Sequence, residues 1–184
     1  IEKLVPRVEK LKVGPYTAGD DVEFGPVVTS AAKQNILNLV QSGIDQGAEL
    51  VIDGRDFSLQ GYEHGFFVGP HLFDRVTPDM DIYKKEIFGP VLSTVRAGSY
   101  EEAIGLAMSH DYGNGTAIFT RDGDTARDFA NRINIGMVGV NVPIPVPLAY
   151  HTFGGWKKSV FGDLNQHGPD AVSYTHLTLP TSHN

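Results

Sequence analysis

The chain has 184 residues, with 15 Lys and Arg against 22 Asp and Glu for a formal net charge of −7, and its 41% hydrophobic and 20% charged residues are the proportions of a globular domain. A chain of this size can bury roughly 70% of its unfolded surface, and an acidic balance with no Lys/Arg block argues against a charge-based grip on nucleic acid or anionic lipid. The absence of cysteine excludes disulfides, thiolate metal sites and a cysteine nucleophile within these residues.

Residues 1–28 carry Pro6, Pro15 and Pro26 with Gly14, Gly19 and Gly25, which leaves room for a helical turn near Val8 in an irregular lead-in. It lacks the hydrophobic stretch of a signal peptide, and a start at Ile1 rather than Met is not expected to be the natural one. From Thr29, a favourable N-cap, Ala32, Ile36, Leu39, Val40, Gly43 and Ile44 recur at helical spacing as far as Gly47, which predicts a helix over 30–46. Residues 49–53 predict a strand closed by an Asp-Gly turn, and 57–75, with Gly61, Gly65, Gly69 and Pro70 among aromatic residues, predicts short strands and turns.

Beyond this the pattern is regular. A strand is predicted at 91–96, a helix at 101–109, a strand at 116–120, a helix capped by Asp122 or Asp124, and a strand at 137–140. That alternation is the signature of an α/β fold with a parallel sheet and right-handed crossovers. Gly113, Asn114 and Gly115 are read as turn residues. The apolar stretch 137–150 is broken by Asn141, Pro143, Pro145 and Pro147, so it is not a membrane-spanning helix. Residues 173–184, rich in Thr, Ser and His, offer little packing material.

The histidines, at 64, 71, 110, 151, 167, 176 and 183, include no pair spaced to put two ligands on one helix face, and no metal site is expected. No phosphate-cradling glycine loop and no Gly-x-Ser-x-Gly elbow is present. The segment 83–91, YKKEIFGPV, carries the most chemistry. If it is extended, Glu86 and Phe88 point to the same side, a carboxylate acceptor for ribose hydroxyls beside an aromatic face for a planar ring, with Gly89-Pro90 ending the element. A surface glutamate next to a core phenylalanine fits the same residues.

KEIFGP (85–90), DYGNGTAIFT (111–120), IGMVGVNVPIPVP (135–147) and FGGWKKSVFGD (153–163), in that order, resemble the C-terminal half of an aldehyde dehydrogenase catalytic domain, with a match from about residue 1 to 172. The element VNVPIPVP (140–147), where most of the superfamily has an aromatic residue before Val-Asn, is most similar to the methylmalonate-semialdehyde dehydrogenases, the CoA-acylating branch. The resemblance implies a truncated α/β, parallel-sheet catalytic domain over 1–172 that includes the lead into the oligomerisation region. It leaves 173–184 as a tail foreign to the family, of the kind read from a truncated frame.

In that family a cysteine attacks the aldehyde, hydride passes to NAD, and the thioester is cleaved by coenzyme A in this branch and by water in most others. The resemblance places Glu86 on the nicotinamide-side ribose hydroxyls, Phe88 near the nicotinamide and Phe153 along the aldehyde tunnel; the alternating prolines after Asn141 favour an extended, preordered backbone that suits either a wall of the substrate channel or a plain connection to the oligomerisation region. It implies a small-molecule semialdehyde substrate, a homo-oligomeric parent (dimer or tetramer), no nucleic acid or membrane partner, and a cytoplasmic location, or the mitochondrial matrix in a eukaryote. The family's cysteine and its dinucleotide-binding half fall before Ile1, so no catalytic residue is expected here and the chain alone is expected to be inactive. Its uncovered apolar face is expected to favour aggregation or dye binding. The alternatives are a non-catalytic α/β binding or assembly domain and a piece of a hydrolytic aldehyde dehydrogenase.

Overall fold

The prolines of the lead-in admit one short helix, α1 (Val5–Val8), and a 3₁₀ turn at Tyr16–Ala18. At Thr29 the hydroxyl accepts a hydrogen bond from the Ala32 N–H at 3.0 Å and starts α2 (Ser30–Asp45). The other end closes as predicted. Gly47, at φ +95°, donates to Ile44 O at 3.0 Å and Ala48 donates to Gly43 O at 2.9 Å, the paired closure that a left-handed residue after the cap permits. The computed structural model describes residues 1–148, 150, 151 and 154–161, and the chain divides into two units, Ile1–Ala97 and Gly98–Asn184.

In the first unit the buried stripe of α2 (Ile36, Leu39, Val40) packs in a core with Phe73, Val76, Met80 and Ile82. Phe73 belongs to a three-stranded sheet of order β1-β2-β3, with β1 at Glu49–Ile52, β2 at His71–Asp74 and β3 at Val91–Ser93. β1 runs antiparallel to β2, and β3 runs parallel to it in the register His71 to Val91 and Phe73 to Ser93. Every residue of β2 is buried. The return from β2 to β3 contains α3 (Asp81–Lys84), whose Ile82 anchors it in the core, and then the segment 85–90.

A buried carboxylate fixes β3 beside β2. Asp74 accepts from Arg96 Nη2 at 2.5 Å and Nε at 3.1 Å, from the Thr94 hydroxyl at 2.9 Å and from the Arg75 N–H at 2.8 Å. Thr94 also donates its N–H to Phe73 O at 2.9 Å. The Arg96 guanidinium and these further donors hold the Asp74 carboxyl far below the usual carboxylate range against the opposing effect of burial.

The second unit contains α4 (Tyr100–Ser109), β4 (Tyr112–Gly113), β5 (Gly115–Ile118), α5 (Gly123–Arg132), β6 (Met137–Val140) and β7 (Trp156–Lys157). Asp122, rather than Asp124, caps α5, accepting from the Thr125 N–H at 2.6 Å. Arg132 bridges Glu101 of α4 (2.6 Å) and Asp128 of α5 (2.9 Å) over a core of Ile104, Phe129, Ile133 and Ile135. β5 and β6 pair in parallel around α5, which is the predicted crossover unit. The predicted strand at 91–96 pairs with β2 in the first unit's sheet instead of continuing the β5–β6 pairing.

The turn reading of Gly113 and Gly115 is corrected: both lie in strands with Asn114 as a bend between them, and neither has positive φ. Gly113 is needed for space, because a Cβ there would stand 3.0 Å from Asn134 O and 3.1 Å from Trp156 Cβ. Among the described residues no helix is long and apolar enough to cross a membrane.

Because the Asp74 pKa is depressed on folding, its stabilising contribution is complete above the unfolded value of about 3.9 and is lost as pH falls below it. Wild type is therefore expected to lose stability steeply below about pH 4. Asp74→Asn is expected to be less stable at neutral pH but to lose less on acidification, so that the two denaturation midpoints converge, as urea unfolding across pH would reveal. Parallel curves would contradict the assignment.

Candidate functional site

The segment after α3 is built by alternate anchoring. Ile87 packs against the core of the first unit, and Gly89 lies against α2 so closely that a Cβ on it would stand 2.5 Å from Ile36 Cδ1. The Pro90 carbonyl then accepts the His71 N–H at 2.8 Å, and the Val91 N–H bonds Gly89 O at 2.8 Å. Between the two inward anchors, Phe88 takes φ +54° and stands 79% exposed. A left-handed backbone at a bulky residue is an outlier costing about 1–2 kcal/mol, and this one projects a large apolar ring into solvent.

The expected extended conformation is not what forms. Residues 81–84 are helical, Phe88 is left-handed, and strand alternation therefore does not place Glu86 and Phe88 on a common side. Both are exposed. Among the described residues Phe88 does not belong to a buried core.

Glu86 makes no hydrogen bond or ion pair among the described residues. Its cationic neighbours are committed elsewhere: Lys85 Nζ lies 3.1 Å from Asp81 Oδ2, and Lys84 Nζ donates to Asp79 O at 2.5 Å. A free carboxylate acceptor two residues from a bare aromatic face can take hydroxyl donors and flank a planar ring. Among the described residues there is no group of three or more His, Cys, Asp or Glu able to hold a metal. The chemistry available here is binding and orientation.

An apolar groove of about 520 Å³ opens beside the segment, lined by residues that include Val8, Phe24, Val27, Pro90 and Leu92. Leu92, on the outer strand of the sheet, is 48% exposed. This is apolar surface of the kind expected to be left uncovered.

Phe153 and the tail 173–184 lie outside the described residues. Asn141, at φ +58°, locks the end of β5 by accepting from the Thr120 N–H and donating to the Thr120 carbonyl, each at 3.0 Å. After it Val142, Ile144, Val146 and Leu148 are exposed and alternate with prolines. Sequence reasoning missed Ile36 and His71 as supports of the site. An isolated histidine in the apolar run around Leu72 and Phe73 was the available signal for the second.

Comparison with known proteins places these features in a family. Residues 1–178 match the model of the aldehyde dehydrogenase family. A malonate-semialdehyde dehydrogenase of Pseudomonas aeruginosa is 58% identical over 95% of this chain and 35% of its own length. The mitochondrial acylating methylmalonate-semialdehyde dehydrogenase of Arabidopsis thaliana is 50% identical over 94% of this chain and 28% of its own. A crystal structure from Sinorhizobium meliloti, assigned to methylmalonate-semialdehyde dehydrogenase and complexed with NAD, superposes with a TM-score of 0.91 at 70% identity, over 94% of this chain and 35% of that one. The chain thus spans about a third of the length of the relatives it matches.

Phe88→Gly is expected to hold or raise stability, by up to about 1 kcal/mol, because it relieves the left-handed strain and removes a ring already in water. Phe88→Ala keeps the strained Cβ and is not expected to gain. Chemical denaturation of both beside wild type distinguishes them; a clear loss in Phe88→Gly would mean that the ring packs inward.

Proposed function

The chain belongs to the aldehyde dehydrogenase family, and from that premise we propose that it is the nicotinamide-contacting portion of an NAD-dependent, CoA-acylating (methyl)malonate-semialdehyde dehydrogenase. The observation that carries this is Phe88, a bare aromatic held in a strained backbone beside the uncommitted carboxylate of Glu86. Strain at an exposed residue persists where surrounding structure enforces it, and such outliers cluster at ligand sites.

Glu86 would hold the nicotinamide-side ribose hydroxyls and Phe88 would restrict the nicotinamide ring from one side. NAD, when bound, supplies the acceptor for the aldehyde hydride. The residues of this chain orient it, because the Ile87 and Gly89 anchors leave the loop little freedom. The overall change proposed is semialdehyde, NAD⁺ and coenzyme A to acyl-CoA, NADH and a proton. The cysteine required for it is not among these 184 residues and would come from polypeptide outside them, so the isolated chain is expected to be inactive.

Phe153 is proposed to line the aldehyde tunnel, and the outward row from Val142 to Leu148, locked at its start by Asn141, to form part of the channel wall. The acylating branch is supported by the description of the Arabidopsis relative, whereas that of the Pseudomonas relative names only malonate semialdehyde. A homo-oligomeric assembly and a cytosolic or mitochondrial-matrix location belong to the same proposal.

The test is to express the source reading frame through both flanks and assay NADH formation from a small 3-oxo acid semialdehyde. Formation is expected to require CoA, and Glu86→Gln to raise the KM for NAD roughly ten- to hundredfold, the equivalent of a hydrogen bond to a charged group. Rates indifferent to CoA would move the protein to the hydrolytic branch, and an unchanged KM would overturn the role of Glu86. A frame without cysteine would leave only a non-catalytic binding domain.

A further inference from the structure

A two-residue strand is a weak attachment, and β7 (Trp156–Lys157) has several others around it. It pairs antiparallel with β4, Tyr112 opposite Lys157 and Gly113 opposite Trp156. Beside that pairing the Lys158 N–H donates to Asp111 O at 3.0 Å, the Gly113 N–H donates to Ser159 Oγ at 2.9 Å, and Lys158 Nζ lies 2.5 Å from Asp111 Oδ2. The backbone just ahead of β7 runs against Gly136, where a Cβ would stand 1.8 Å from Gly154 O and 2.9 Å from Gly155 Cα. Gly136 in turn donates its N–H to Gly113 O at 3.0 Å. Residues 154–156 therefore cross Gly113 and Gly136 at a distance that only glycines allow.

Lys157 ties this crossing to a helix. α4 ends at Ser109 without a glycine closure, because His110 after it is extended (φ −65°, ψ 144°), so its last carbonyls need other partners. The Ser109 hydroxyl donates to Leu106 O at 3.1 Å, and Lys157 Nζ donates to Ala107 O at 3.2 Å and to Met108 O at 2.8 Å. An ammonium at the negative end of a helix also gains from the helix dipole. The backbone of Lys157 is left-handed, at φ +59°. Glycine adopts that conformation freely and lysine at a cost, and such strain persists where surrounding contacts enforce it. Here the enforcing contacts are the β4 pairing on one side and the grip of Nζ on α4 on the other.

We propose that Lys157 is a positioning residue for the aldehyde: its ammonium, seated on the end of α4, sets the path of residues 154–159 across Gly113 and Gly136, and through them the placement of Phe153, their neighbour in sequence. The effect on the aldehyde rests on the tunnel role proposed for Phe153 above, whereas the clasp rests on the contacts of Lys157 alone.

The clasp is tested by amide exchange on the whole chain, in wild type and in Lys157→Met, which keeps most of the stem and removes the charge. The amides of Gly113 and Lys158, whose acceptors are Ser159 Oγ and Asp111 O, should exchange roughly tenfold faster in the variant, the equivalent of one charge-assisted hydrogen bond. Lys157→Arg should restore their protection, and the amide of Val76, bonded to Thr94 O in the first unit, should not respond. Unchanged exchange at Gly113 and Lys158 would overturn the clasp. Should Lys157→Met fail to fold, Lys157→Gly takes its place, since it relieves the left-handed strain as it removes the ammonium.

The positioning is tested by kinetics on the source reading frame expressed through both flanks. Lys157→Met should raise the KM for a small 3-oxo acid semialdehyde several-fold and leave that for NAD alone, and Lys157→Arg should restore it. Lys157→Gly should show the same rise even with its melting temperature at the wild-type level, which a merely stabilising lysine would not give. Added to Phe153→Ala, Lys157→Met should raise the KM no further, because both changes act through one ring. Full additivity with Phe153→Ala, or equal shifts for aldehyde and NAD, would overturn the positioning role. Faster exchange in Lys157→Met combined with an unchanged aldehyde KM in Phe153→Ala would uphold the clasp and overturn the tunnel role of Phe153.

Discussion

The candidate site depends on the contact between Gly89 and Ile36. Ile36 is fixed because α2 is closed at both ends, by the Thr29 hydroxyl at one and by Gly47 at the other, and because its stripe is buried in a core with Phe73 and Ile82. Gly89 can reach it only without a side chain. Once Ile87 and Gly89 both face the core, the residue between them is turned outward, and Phe88 takes that place with a left-handed φ. The exposure of that ring comes from packing two residues wide, with no regular secondary structure beneath it.

This explains what could be read from the sequence and what could not. α2 was legible to its caps because hydrophobic period, N-cap and terminal glycine all agreed, and the β5–α5–β6 unit was legible for the same reason. The common side for Glu86 and Phe88 was inferred from strand alternation, which needs a strand, and a long-range contact with a helix fifty residues earlier replaced it. The glycine at 113 looks like a turn in sequence because turn and close approach demand the same residue, and only the positions of Asn134 and Trp156 separate the two. The Asp74–Arg96 clamp and the burial of His71 likewise join residues far apart in sequence, which local patterns do not encode.

Family membership and the site geometry answer different questions. The match over residues 1–178 establishes the family, and the relatives are nearly three times as long, so the activity of a whole enzyme reaches this chain only as a proposal. What these residues contribute on their own is an aromatic face and a free carboxylate on a loop tied to one helix and one buried strand. The segment's attachment to that strand passes through the main chain of His71.

The most direct test of the account is to map NAD onto the isotopically labelled chain by chemical-shift perturbation at millimolar concentration. Perturbations are expected to centre on residues 86–90 and to reach His71 and Ile36 through the backbone and side-chain contacts described. Perturbations centred elsewhere in the chain, or none at all under those conditions, would contradict the assignment of Glu86 and Phe88 as the cofactor contacts.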